Sequence, residues 1–107
     1  MSSLKKLGML NRAGMDAFNE GRTDDALFQL IQADRLAQSM GSPLHGAKVR
    51  NNIGLVHQGS GNHEEALACF RLAAREAVRG AGEGNVLHKA IARNLNRLEV
   101  EVAGQGA

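Results

Sequence analysis

Displaced by 40 residues, the chain lies on itself. Asn11, Gly14, Gly21, Ala26, Leu27, Ala33, Arg35 and Ala37 then fall on Asn51, Gly54, Gly61, Ala66, Leu67, Ala73, Arg75 and Ala77. These eight identities span thirty positions, 11 to 40, where chance pairing at such a composition gives about two. Similar residues keep the register: Ala13 with Ile53, Asp24-Asp25 with Glu64-Glu65, Leu30 with Phe70. A unit that recurs at this spacing is one supersecondary element that buries its apolar face by stacking on a neighbour. Within 107 residues there is room for two units and a remainder.

Composition decides what the unit is made of. The chain has no Trp or Tyr, three Phe and one Pro, with many Ala and Leu and few β-branched residues. That balance disfavours sheet and favours close-packed helices. Each unit reads as a helical hairpin turning at Gly21 or Gly61, and an acidic pair opens its second helix, where the helix dipole favours carboxylates. Asn62-His63-Glu64-Glu65 has the form of a capping box, and Ser42-Pro43 is a good start for the third helix. Gly80-Ala81-Gly82-Glu83-Gly84 breaks the chain before a fifth helix.

The expected helices cover 3–20, 23–39, 43–59, 63–79 and 85–102, with Gly104 to Ala107 frayed. The fifth repeats the first helix of a unit at an offset of 42: Val49, Ile53, Val56 and Asn52 become Ile91, Leu95, Leu98 and Asn94. Leu87, Ile91, Leu95, Leu98 and Val102 form one apolar stripe, with Lys89, Arg93, Asn96, Arg97 and Glu101 opposite, as a helix closing a stack requires. The expected fold is all-α: antiparallel helical hairpins stacked in a single domain over 1–107. Repeat 1 spans about 3–40, repeat 2 about 42–80, and a capping helix about 85–102.

The matched residues resemble the tetratricopeptide repeat (TPR) family over residues 7 to 102. The signature is a small residue in the first helix (Gly14, Gly54), a turn glycine (Gly21, Gly61) and spaced alanines in the second helix (Ala26 and Ala66, Ala33 and Ala73), with Leu30 and Phe70 at its large apolar position. The usual period is about 34 residues; the 40-residue period here is similar to the long-repeat branch that binds extended peptides. Leu10, Arg50 and Ala92 stand where the family often has aromatics, and His57 where Tyr is common. The resemblance implies a short superhelix whose first helices line a concave groove that contacts ligand. Transferring that face puts Asn11, Met15, Lys48, Asn51, Asn52, Leu55, Arg93, Asn94 and Arg97 in the groove. Asparagine both donates to and accepts from a peptide backbone, and Lys or Arg attracts carboxylates. Of the Lys, Asn and Arg set with which chaperone-tail-binding members hold a terminal carboxylate, only Asn52 matches; Met15, Ala90 and Asn94 replace others. That particular ligand is not expected.

No catalytic constellation is legible, and no enzyme is expected. Gly80-x-Gly82-x-Gly84 follows a helix rather than a strand, lacks a Lys-Ser/Thr, and reads as a linker rather than a phosphate loop. The acidic pairs Asp24-Asp25 and Glu64-Glu65 read as helix-start electrostatics. His45, His57, His63 and His88 show no metal-ligand spacing among themselves or with Cys69, so neither metal nor cofactor is expected. Cys69 reads as a small buried hydrophobe, and Arg71, Arg75 and Arg79 as a solvated outer row.

The expectation is a non-catalytic protein–protein interaction module, an adaptor or scaffold, taking an acidic peptide or helical segment in a basic, Asn-lined groove. The alternative is a self-associating subunit, a homodimer in its simplest form, using Leu4, Leu7, Met9, Leu10, Met15 and Phe18 of the first helix. Nucleic acid is disfavoured by the net charge of only +2 and the lack of stacking aromatics. No apolar run approaches the roughly 20 residues that span a bilayer. The lysines at Lys5 and Lys6 are followed by an apolar stretch that Asn11 and Arg12 interrupt, unlike a signal peptide, and the expected location is cytoplasmic.

Overall fold

A computed structural model describes residues 1–106 and has five helices: α1 (Ser3–Asn19), α2 (Thr23–Ser39), α3 (Pro43–Gly59), α4 (His63–Ala81) and α5 (Val86–Gln105). Consecutive helices pack as antiparallel pairs, α1 with α2 and α3 with α4. The second hairpin stacks on the first through α2 and α3, and α5 lies on α4. The first helices α1, α3 and α5 also touch in sequence, making one layer against the α2 and α4 layer.

Three of the four turns use one device at 20-residue intervals. Gly21, Gly41 and Gly61 have φ of 79°, 63° and 80°, a left-handed conformation that glycine adopts without a Cβ penalty. The next N–H then reaches back five residues: Arg22 to the Ala17 carbonyl, Ser42 to Ala37, Asn62 to His57, at 2.8, 3.2 and 2.9 Å. Helix starts differ. The Ser2, Ser42 and Asn85 side chains accept a backbone N–H three residues on, and their ψ values are 154°, 99° and 161°. Asn62 has ψ 73° and makes no side-chain cap, so the expected capping box does not form. At that ψ the backbone is outside the extended conformation that aims an N-cap side chain at the first turn.

Two further boundaries depart from expectation. Helix α4 runs through Gly80 because that glycine serves packing: a Cβ there would sit 2.7 Å from Leu44 Cγ. The break comes at Gly82, with φ 82°. Helix α5 continues through Gly104, since one glycine costs only about 1 kcal/mol of helix propensity and the Gly106 N–H still closes on the Val102 carbonyl. Ala107, also expected to fray, lies outside the described residues.

The core repeats with the sequence. A Cβ on Gly14 would lie 2.6 Å from Leu30 Cγ, and one on Gly54 would lie 2.6 Å from Phe70 Cε1. Both hairpins therefore close by seating the large residue of the second helix on the bare backbone of the first. Between hairpins, Ala33 and Ala37 of α2 join Val49, Ile53 and Val56 of α3 in one buried cluster. Ala73 and Ala77 of α4 meet Ile91 of α5, while Phe70 meets Leu98. Alanine on the second helix lets a larger aliphatic residue on the next first helix approach closely.

Beside this apolar contact, Arg50 Nε lies 3.0 Å from Asp34 Oδ1, both side chains largely covered. Leu95, central in the expected stripe, is only partly buried; Ile91 and Leu98 are the residues fully enclosed.

Candidate functional site

The exposed side of the first-helix layer is organised by asparagine. Asn11 Oδ1 accepts from Asn52 Nδ2 at 2.8 Å, joining α1 to α3. One repeat on, Asn51 Oδ1 accepts from Asn94 Nδ2 at 3.0 Å, joining α3 to α5. Asn11 and Asn51 match at the 40-residue offset and Asn52 and Asn94 at the 42-residue offset, so both bonds are one device used twice. Asn11 is buried at 9% exposure, while the other three are half-buried. Each pair uses one acceptor and one donor, and an amide has further capacity on both groups.

Met15 and Leu55, each four residues beyond the acceptor asparagine, are half-buried against the core. Lys48, Arg93 and Arg97 are exposed on the same helix faces: Lys48 precedes Asn51 by one turn, and the arginines flank Asn94. Among the described residues these three cations make no ion pair. The arginine row of α4 differs. Arg71 reaches Glu99 of α5 at 3.4 Å, and Arg79 pairs with Glu76 at 3.0 Å.

Residues of α1 and the start of α3 line a cleft of about 400 Å³. Asn11, Met15 and Lys48 line it; Asn51, Asn52, Leu55, Arg93, Asn94 and Arg97 continue the face outside it. The groove expected from the sequence did not include Leu4, Leu7, Gly8, Arg12, Asp16 and His45, which also line the cleft; Leu4 and Leu7 were expected on the self-association surface instead. The signal was present: Leu4, Gly8, Arg12 and Asp16 recur every four residues beside Asn11 and Met15, and His45 lies one turn before Lys48. His45 is held by the start of α3, its Nδ1 2.6 Å from the Ser42 hydroxyl that also accepts the His45 N–H. Asp16 is the single carboxylate among Arg12, His45 and Lys48, so the cleft is electropositive.

Cys69 is half-buried between the hairpins; burial and then the Asp34 carboxylate push its thiol above the ordinary value, against a smaller opposing pull from Arg50. A raised thiol is a poor nucleophile at neutral pH. His57 is half-buried, and its Nδ1 has no hydrogen-bond partner among the described residues. Among those residues no group of three or more His, Cys, Asp or Glu side chains is placed to hold a metal ion, and no helix is long and apolar enough to cross a membrane.

Compared with known proteins, the chain matches no family model, no curated protein and no solved structure.

Proposed function

We propose that this chain is a non-catalytic protein-interaction module of the tetratricopeptide type, and that it takes an acidic peptide or helical segment along the asparagine seam of α1, α3 and α5. The observation that carries the reading is the unequal pairing of its cations. Two of the three α4 arginines have carboxylate partners, whereas Lys48, Arg93 and Arg97 make no ion pair among the described residues. Unpaired exposed cations beside amides with unused donors and acceptors suit an extended chain: the amides meet its backbone and the cations its acidic side chains. The cleft holding Met15 and Lys48 also has Leu4 and Leu7 in its mixed lining, apolar contacts for one ligand side chain.

A test is selection of binders from a random displayed-peptide library on the intact chain. Selected peptides are expected to be acidic, and their binding to weaken with salt, because exposed charge contacts are screened within about 8–10 Å. The double substitution Arg93→Glu and Arg97→Glu should abolish binding without altering the helical circular-dichroism signal. Selected peptides that are not acidic, or that bind the double variant as well as the parent, would sink this reading.

A further inference from the structure

The internal repeat identifies a second surface on α1, beside the asparagine groove and meeting its cleft at Asp16. Each first helix carries a face that receives the second helix of the preceding unit. On α3 that face is Gly46, Val49, Arg50, Ile53 and Val56, covered by α2: Ala33 and Ala37 pack on the aliphatic residues, Asp34 pairs with Arg50, and Gln38 lies over Gly46. On α5 the matching Ile91 and Leu98 are enclosed by α4. On α1 the matching residues are Lys6, Met9, Leu10, Ala13 and Asp16. Val49 and Ile91 are both 0% exposed, whereas Met9, at the same position, is 56% exposed.

Two hollows lie along the uncovered face. Met1, Lys6, Met9, Leu10, Ala13 and Gln29 line a hollow of about 450 Å³. Gln29 matches Cys69, which in the second unit sits at the covered α2–α3 junction. An adjoining hollow of about 370 Å³ shares Lys6 and Leu10 and extends the face past Arg35 and Leu36.

We infer that this α1 face is a docking site for an amphipathic helix of a partner protein that presents an alanine seam flanked by carboxylates. The alanines follow from what the same face receives twice within this molecule. The carboxylates follow from charge: Lys6 borders both hollows and Arg35 one, neither makes an ion pair among the described residues, and Asp16, at the end of the face, lines the α1–α3 cleft and neither hollow. A second copy offers no such helix, since α2 is already covered by α3 and α4 by α5.

The chain supplies its own probe. A blocked synthetic peptide of residues 23–39, the α2 sequence, carries Ala33 and Ala37 with Asp24, Asp25 and Asp34. Added to the intact protein, it should bind saturably by fluorescence anisotropy and gain helicity. Met9→Asp and Ala13→Arg should each weaken binding about tenfold or more, as central interface positions do, and Lys6→Glu should weaken it also. Both residues at the first two positions are exposed, so the far-UV spectrum should be unchanged. Arg93→Glu with Arg97→Glu should leave this binding intact, which separates it from the groove. Absence of saturable binding, or binding indifferent to Met9→Asp, overturns the inference. So does a dimer in sedimentation that Met9→Asp dissolves, because the face then takes a second copy.

Discussion

Asn11 Oδ1 accepts a hydrogen bond from Asn52 Nδ2 across 41 residues of sequence, and among the described residues Asn11 is the one buried polar side chain. Asn52→Ala strands that buried amide, which costs about 1–3 kcal/mol. Asn94→Ala, at the half-buried second pair, should cost less. Urea midpoints measure both; an Asn52→Ala midpoint equal to the parent would show that the pair does not hold α1 to α3.

The Asp34–Arg50 pair calls for a double-mutant cycle. Both side chains are largely covered, so Asp34→Ala leaves Arg50 poorly solvated and unpaired, and should cost about 1–3 kcal/mol, between exposed and buried ion pairs. Adding Arg50→Met should recover most of the loss, because an apolar side chain needs no counter-charge there. A double variant no more stable than Asp34→Ala would contradict this account.

Two glycines of α1 and α3 should respond in opposite directions. Gly54→Leu drives a side chain into the Phe70 ring, where even a Cβ would lie at 2.6 Å, and should cost about 1–3 kcal/mol or more. Gly8 is exposed in mid-helix with nothing within 4 Å of a Cβ, so Gly8→Ala should stabilise by about 0.5–1 kcal/mol. Thermal melts of the two variants read the signs directly.

Truncation of the closing helix tests whether it belongs to the cooperative unit. Leu98→Ala should cost about 2–5 kcal/mol, because Leu98 is enclosed with Phe70 and Ala66. Leu95→Ala should cost less, its side chain being only partly buried. Equal melting of Leu98→Ala and the parent would mean that α5 unfolds separately.

Cys69 predicts a pH dependence. Burial first, then Asp34, raises the folded-state thiol pKa above its ordinary value. The unfolded chain therefore ionises first, and the contribution of Cys69 to stability is constant below about pH 8.5 and declines above it. Urea midpoints of the parent should fall more between about pH 7.5 and about pH 9.5 than those of Cys69→Ala. An identical fall in both would remove the thiol from the account. Alkylation of the native thiol at neutral pH should also be slow, and become fast in denaturant.

The fold was legible because its determinants are local and repeated. A 40-residue period, turn glycines at 21 and 61, and a stripe from Leu87 to Val102 are visible without coordinates, and each corresponds to an element of the structure. The departures occur where residue type and local geometry disagree. Gly80 has the composition of a breaker but packs under Leu44, and Asn62 has the chemistry of a cap without the extended backbone that would aim it. Of the expected groove, Asn11, Met15 and Lys48 line the α1–α3 cleft, and the asparagines hold one another across helices. Their mutual bonds were illegible because a side chain's partner 41 or 43 residues away depends on the distance between helices.

By itself the sequence determined the helices, their hairpin pairing and the faces that meet, since helical periodicity and glycine turns act within a few residues. Tertiary structure alone decided that Asp34 neutralises Arg50, that Asn11 is buried by Asn52, and that the face equivalent to Val49 stands open at Met9. The physical reason is that burial and pairing belong to the space between helices. Identical positions in a repeat acquire different environments according to whether another helix lies over them.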